Sequence, residues 1–206
     1  MACNLEVHVI TLDGVAGASA PADPHRALAR LRPLFRSVRA VPGVRTGALA
    51  GSGLTAGQRG CAIAHRDLWR QLRDHPPGPH LVLEDDAFSR HPEALCEQLR
   101  AARARVARDD LDVLNLGPCG RSSSVPGGPH RRTAGCTHAY LISQRGLRRA
   151  LRLTDTWSHP IDEEIFKLCA QGELACDSAD LFGQRSAASE VRQASLLRPR
   201  PCHSSS

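Results

Sequence analysis

The amino-acid sequence predicts an α/β fold in which a mostly parallel sheet is flanked by helices. Three observations carry that expectation. Short β-rich runs near 5–12, 80–83, 111–116 and 139–142 alternate with segments whose apolar residues recur at helical spacing. The run from His80 to Leu83 is apolar, as a strand covered on both faces tends to be, and it breaks directly into Glu84-Asp85-Asp86. A chain of 206 residues fits one domain, because a chain of this size buries roughly 70% of its unfolded surface and closes a single core.

The elements follow in order. Leu5 to Leu12 forms a first strand ending at the turn signal Asp13-Gly14. After a loop from Gly17 to Pro24, the spacing of Leu28, Leu31, Leu34, Phe35 and Val38 predicts a helix, kinked or split at Pro33. Val41 to Gly53 reads as an exposed loop. Thr55, three residues before Gln58, matches a capping box and opens a helix through Ile63, Leu68, Trp69 and Leu72, which His75-Pro76-Pro77-Gly78-Pro79 stops.

The next strand, His80 to Leu83, delivers its acids at its carboxyl end. Pro92 starts a helix carrying Leu95 and Leu99 into the arginine-rich stretch 100–108. Leu111, Val113, Leu114 and Leu116 make a short strand, 117–135 a long loop, and Ala139 to Ile142 another strand. Ser143 caps a helix through Leu147, Ala150 and Leu151, and Ile161 to Ala170 is the last helix. The domain is expected over 1–192, with 193–206 a disordered, serine-rich polar tail.

Composition narrows the function classes. With one Tyr, two Trp and four Phe, the core must be built from Leu, Val, Ile and Ala, and aromatic platforms for stacked bases are scarce. The net charge of +6 is carried by arginine, since Lys167 is the single lysine. Arginine suits bidentate contact with phosphates, but charge alone points only weakly to an anionic partner. The eight cysteines include no C-x-x-C pair, which argues against a zinc cluster and leaves their redox state open. The start lacks a basic region followed by a sustained apolar run, and nowhere do 18 apolar residues run together. The expected location is the cytoplasm or the cytosolic face of a membrane, as a peripheral contact, or the secretory lumen if the origin is eukaryotic.

The sharpest local signal is Leu81-Val82-Leu83-Glu84-Asp85-Asp86. Three adjacent carboxylates repel one another, and an apolar strand end is a costly place for them unless a cation or water neutralises them. Mg²⁺ or Mn²⁺ prefers oxygen ligands and can bridge carboxylates to a diphosphate. A solvated turn is the competing reading of this motif.

Three segments together resemble glycosyltransferase family 25, which includes lipooligosaccharide and collagen hydroxylysine galactosyltransferases. They are Gly57-Gln58-Arg59-Gly60-Cys61-Ala62-Ile63-Ala64-His65 with Trp69, Leu83-Glu84-Asp85-Asp86, and Thr137-His138-Ala139-Tyr140-Leu141-Ile142-Ser143 with Gly146. The similarity runs from about residue 5 to about 192. It implies a GT-A type fold, a Rossmann-like sheet binding a nucleotide sugar through Mn²⁺ or Mg²⁺.

By resemblance, Asp86 is the metal contact, with Glu84 at the other end of a D-x-D-like motif, and Asp85 hydrogen-bonds the sugar or ribose. Asp162, in His159-Pro160-Ile161-Asp162-Glu163, is the first candidate for the base of an inverting displacement, and Glu163 is the second. His65 and His138 are placed in donor binding, although His65 could equally be a packing residue. Near Phe182-Gly183-Gln184-Arg185, Gln184 lines the donor site, and Arg185 suits neutralisation of the leaving diphosphate. The implied partners are a UDP-sugar, with galactose the default, and a glycan or hydroxylated protein acceptor.

The chain departs from the family pattern in several places. Gly14 stands where arginines usually follow the first strand, Gln58 replaces Glu, Ala64 replaces Ser, and Cys136 replaces Gly. Two alternatives therefore accompany the transferase reading: a degenerate, non-catalytic domain of the same fold, and an arginine-rich nucleic-acid-binding protein, which the lack of any known nucleic-acid motif disfavours.

Overall fold

The computed structural model describes residues 2–11, 24–44, 54–118, 136–154 and 158–185. The expected turn at Asp13-Gly14, most of the 117–135 loop and the tail from 186 onward lie outside the described residues. The elements are β1 (Cys3–Thr11), α1 (Pro24–Leu31), β2 (Phe35–Pro42), α2 (Ala56–Arg73), β3 (His80–Glu84), β4 (Ala87–Ser89), α3 (Leu95–Arg108), β5 (Val113–Asn115), β6 (Ala139–Ile142), α4 (Gln144–Leu153), α5 (Ile161–Ala170), β7 (Cys176–Ser178) and β8 (Phe182–Gln184).

Six strands form one sheet in the order β2-β1-β3-β6-β5-β7, and β4 pairs with β8 in a separate ribbon. β6 runs antiparallel to β3 and β5, while the other pairs in the large sheet are parallel. This mostly parallel sheet flanked by helices is the fold class expected from the sequence, and it is consistent with a GT-A or Rossmann-like architecture.

Alternation along the strands builds two cores. Val7 and Val9 of β1, Leu81 and Leu83 of β3, and Ala139 and Leu141 of β6 pack with Leu28 and Leu31 of α1 and Leu95, Leu99 and Val106 of α3. Ile10, Val82, Tyr140 and Ile142 face the other way, onto Leu68, Trp69 and Leu72 of α2, Leu147 and Ala150 of α4, and Leu168 of α5. Both faces of the central strands are thereby dry, which accounts for their unbroken apolar sequence.

One expected helix is corrected. The stripe from Leu28 to Val38 does not continue past Pro33: α1 ends at Leu31, and Phe35–Pro42 is the edge strand β2. Pro33 cannot donate to a helical ladder, and Phe35 and Val41 bury their side chains beside β1 instead. The loop expected from Val41 therefore begins later, after Pro42. The other correction concerns α3, which starts at Leu95 after Ala94 rather than at Pro92, without a side-chain cap. The capping box at Thr55 and Gln58 is present, as is the Ser143 cap on α4.

Several arginines of α3 and α4 are occupied in ion pairs. Asp112, fully buried, accepts from Arg145 Nε at 2.7 Å and Arg149 Nη1 at 2.9 Å, and Arg105 pairs with Asp177. These arginines neutralise acids of this fold, so charge counted along the sequence overstates what is offered to a nucleic acid. Disulfides join Cys3 to Cys96 and Cys169 to Cys176, whereas Cys61 is a free thiol. No described helix is long and apolar enough to cross a membrane.

Gly146 in the first turn of α4 allows that helix to lie directly on the β5 connection, because an added Cβ would meet the Asp112 carbonyl oxygen at 2.2 Å. Helix propensity favours Ala over Gly by about 1 kcal/mol, whereas overpacking against fixed backbone costs about 1–3 kcal/mol. Overpacking is expected to win. Gly146→Ala should lower stability by up to about 2 kcal/mol net, read as a lower urea midpoint at unchanged slope.

Candidate active site

The site forms where α2, the end of β3 and the entry to β6 meet. The α2 helix runs with Cys61, His65 and Trp69 on the face it buries against the sheet or turns toward the end of β3. His65 is completely buried, and its Nδ1 lies 2.8 Å from Tyr140 Oη, its Nε2 3.2 Å from Glu84 Oε1. Thr137 Oγ1 donates to the same Glu84 oxygen at 2.9 Å, and Trp69 Nε1 donates to Tyr140 Oη at 2.8 Å. The Glu84 amide donates to the His138 carbonyl at 2.8 Å. Residues 19 to 75 positions apart in the chain thus form one buried hydrogen-bonded network.

Charge in this network is shared. Burial works against a charged His65, but Tyr140, Cys61 and Glu84 outweigh it and hold its pKa well above 6.5. Burial likewise pushes the Glu84 carboxyl up, yet the hydrogen bond and charge of His65, with the Thr137 hydroxyl, leave it below its ordinary value. The pair is therefore an imidazolium facing a carboxylate, an arrangement that is costly to desolvate and more costly to break.

Asp86 lies beyond this pair. Its Oδ2 accepts from Gln184 Nε2 at 2.9 Å, and its backbone oxygen accepts from the Arg185 amide at 3.0 Å, so β8 is tied to the acidic turn. The Arg185 guanidinium lies over the Phe88 ring, 5.6 Å from its centroid. Asp86 Oδ1 is buried and has no hydrogen-bond partner among the described residues. Burial, with repulsion from Glu84, pushes the Asp86 carboxyl up to about 7. An oxygen-rich turn with one orphaned carboxylate oxygen fits a hard divalent ion.

A second group of donors adjoins the first. Cys61, His65 and Glu84 each present one ligand atom, all within 4.8 Å of one another, and this cluster could hold a divalent ion once the ion displaces the His65 proton. Its thiolate, imidazole and carboxylate set suits zinc better than Mn²⁺ or Mg²⁺, which favour oxygen alone.

The remaining expected residues are placed as follows. Asp85 is buried, with its amide donating to the Ile10 carbonyl at the end of β1. His138 is buried and accommodated by Gly117, where an added Cβ would sit 2.1 Å from His138 Nε2. Burial lowers its pKa despite the Glu84 charge, so it is neutral at pH 7. Asp162, in the first turn of α5, lines a mostly apolar cleft together with Trp69, Thr137, Tyr140 and Phe166. Three residues of that lining, Trp69, Thr137 and Tyr140, belong to the buried network. Glu163 is exposed and is not among the residues lining the cleft.

Sequence reasoning assigned no site role to Thr137, Tyr140 or Cys61. Cys61 and His65 stand four apart on one helix, a spacing that puts both on one face, and this was the signal available for the cysteine. Nothing local marks Tyr140, whose hydroxyl acquires its two partners only through the packing of α2 on β6.

The acid of β7's neighbour α5 also separates in role from its sequence mates: Glu164 is buried and accepts from the Ser158 amide at 3.2 Å, 2.9 Å from His159 Nδ1. It secures the start of α5.

The fold and site define an α/β protein with a polar, acidic centre at the carboxyl end of β3. Similar overall architecture occurs in a protein from Bacillus anthracis assigned as a glucose-1-phosphate thymidylyltransferase, at 11% identity and TM-score 0.47, covering 96% of this chain and 78% of that one. A CMP:2-keto-3-deoxy-manno-octonic acid synthetase is similar at 11% identity and TM-score 0.47, covering 95% and 98%. Residues 1–349 of S. aureus TarS are similar at 13% identity and TM-score 0.42, covering 88% and 60%. No protein-family model and no curated protein matches the sequence.

In metal-free protein, the Asp86 assignment carries a stability consequence. Its folded pKa of about 7 exceeds the ordinary 3.8, so ionisation is resisted by the fold and stability falls as pH rises between those values. Asp86→Asn should therefore raise stability in chelator at pH 8 by about 1–2 kcal/mol, after discounting for solvent, with no gain at pH 4. Urea melts at the two pH values measure this.

Proposed function

We propose that this chain is a metal-dependent, inverting glycosyltransferase that moves a hexose, galactose in the first place, from a UDP-sugar to a hydroxyl of a glycan or protein acceptor. The observation that carries the reading is the convergence of three distant segments, around His65, Glu84 to Asp86, and Thr137, at the carboxyl end of β3, where open α/β sheets bind ligands.

In this reading, Asp86 and Glu84 hold Mn²⁺ or Mg²⁺, with Glu84 fixed by His65 and Thr137. The bound ion supplies charge neutralisation at the leaving diphosphate. Asp85 orients the ribose or sugar, Gln184 lines the donor site, and the Arg185 guanidinium adds positive charge beside the diphosphate. His138, neutral, contributes to donor binding without adding charge. Asp162 takes the proton of the acceptor hydroxyl as the new bond to the anomeric carbon forms and the bond to the diphosphate oxygen breaks, releasing UDP. Glu163 is the second candidate for that proton. Lipooligosaccharide-type glycans and hydroxylysine-bearing proteins are the acceptor classes to screen.

Calorimetric titration with UDP-galactose and UDP-glucose, with and without Mn²⁺, tests the reading. Mn²⁺-dependent binding that weakens at least about 100-fold in Asp86→Asn is the expected result, since a metal ligand outweighs the 10- to 100-fold effect typical of its supporting residues. A folded protein that binds neither nucleotide sugar overturns it.

A further inference from the structure

We propose that His8, His75 and His80 form a binding site for a borderline divalent transition metal, zinc in the first place, at the amino end of β3, away from the acidic turn. In the register of β1 and β3, His8 stands opposite Val82, so His80, two residues earlier, projects on the same face of the neighbouring strand. His75 follows the end of α2, its amide donating to the Leu72 carbonyl at 3.1 Å, and the helix packs on that same face. The three rings meet pairwise, with centroids 6.0 Å apart for His8 and His80 and 6.3 Å for each contact of His75.

Two independent features point to a ligand. His8 is 1% exposed, and its Nδ1 is buried without a hydrogen-bond partner among the described residues. A nitrogen left unsatisfied in a core is unfavourable and calls for a bound partner. The second feature is the tautomer of His80. Gln144 Nε2 donates to the Leu72 and Arg73 carbonyls, which turns its Oε1 toward His80 Nε2 at 3.2 Å. His80 must then carry its proton on Nε2, leaving the Nδ1 lone pair available as a ligand. A hydrogen bond from the far nitrogen is the usual support of a metal-bound histidine.

Charge around the group is mixed: the Glu6 carboxylate acts on both His8 and His80, against Arg39 beside His8 and Arg103 beside His80. Burial keeps His8 neutral, as a ligand must be. A tetrahedral zinc with Zn–N of about 2.0–2.1 Å holds its nitrogens roughly 3.4 Å apart, so all three pairs of rings, His8 with His80 included, must close on binding. His8 and His80 close their own gap of 6.0 Å by side-chain rotation, and His75 has the most freedom to move. It is half-buried on the His75-Pro76-Pro77-Gly78-Pro79 connection, whereas the other two are fixed on strands. Neutral imidazoles without thiolate select zinc, cobalt, nickel or copper over Mg²⁺ and Mn²⁺.

The test uses the full chain, stripped of metal and titrated with Zn²⁺ against a chromophoric chelator. His75→Ala, at a half-exposed loop position, should lose at least tenfold in zinc affinity while keeping the wild-type circular dichroism spectrum. Cys61→Ser, which disables the Cys61-His65-Glu84 cluster, should keep the site. In ¹⁵N spectra, zinc should shift the ring nitrogens of His8, His75 and His80 together. Unchanged zinc affinity on adding His75→Ala to Cys61→Ser, or loss of all zinc binding in Cys61→Ser itself, overturns the proposal.

Discussion

Replacing Asp162 by Asn is expected to reduce turnover by about 10²- to 10⁴-fold with little change in donor affinity, the range in which a positioned general base contributes. The expectation rests on where Asp162 stands: in the first turn of α5, partly exposed, on a mostly apolar cleft that shares Thr137 and Tyr140 with the network around Glu84. A partly exposed carboxylate beside the partly exposed Phe166 can meet an acceptor hydroxyl that arrives from solvent. Asn keeps the shape and removes the proposed base. Single-turnover rates with saturating donor, alongside calorimetric donor affinity, separate the two effects. A large fall in donor affinity with an unchanged rate would reassign Asp162 to binding, and an unaffected rate would pass the role to Glu163 for the same measurement.

Replacing His65 by Ala is expected to cost about 3–5 kcal/mol of stability, because it leaves the Glu84 carboxylate in the core without its charged partner and frees the Tyr140 hydroxyl. The pH dependence has a definite sign. The folded pKa of His65 lies above 6.5, so its contribution is complete below about 6.5 and is lost as pH rises through the higher folded value. Glu84 is held below 4.5, so its contribution is complete above about 4.5 and is lost as pH falls through the lower folded value. The mutant's deficit should therefore be largest between about pH 4.5 and 6.5 and shrink on either side. Urea melts of both proteins at pH 5.5 and pH 9.5 measure it; equal deficits would mean that packing, not the ion pair, dominates at His65.

These two residues also mark how much of the molecule could be read before folding. The central strands were legible because a strand buried on both faces must be apolar in its interior, as Leu81-Val82-Leu83 of β3 and Ala139 to Ile142 of β6 are. The caps at Thr55 and Ser143 were legible because they are local hydrogen bonds between residues three apart. The edge strand β2 was not: Phe35 and Val38 continue the helical spacing of α1, and only pairing with β1 shows that the chain has changed element at Pro33. The short strands β4, β7 and β8 have three residues each, too few for a period to declare itself.

For the candidate site, the sequence by itself determined the chemistry on offer: three carboxylates at an apolar strand end, a cysteine and a histidine one helical turn apart, and a Thr-His pair entering a strand. The tertiary structure alone decided which of these meet. It turned Glu84 inward to His65 and Thr137, left Asp86 with Gln184 and an orphaned oxygen, and set Asp162 on the cleft with Glu163 outside it. It also gathered His8, His75 and His80, which no motif joins. The reason is physical: composition and period report local propensity and burial, whereas a hydrogen bond or a pKa depends on distances of about 3 Å between residues far apart in the chain, and packing sets those.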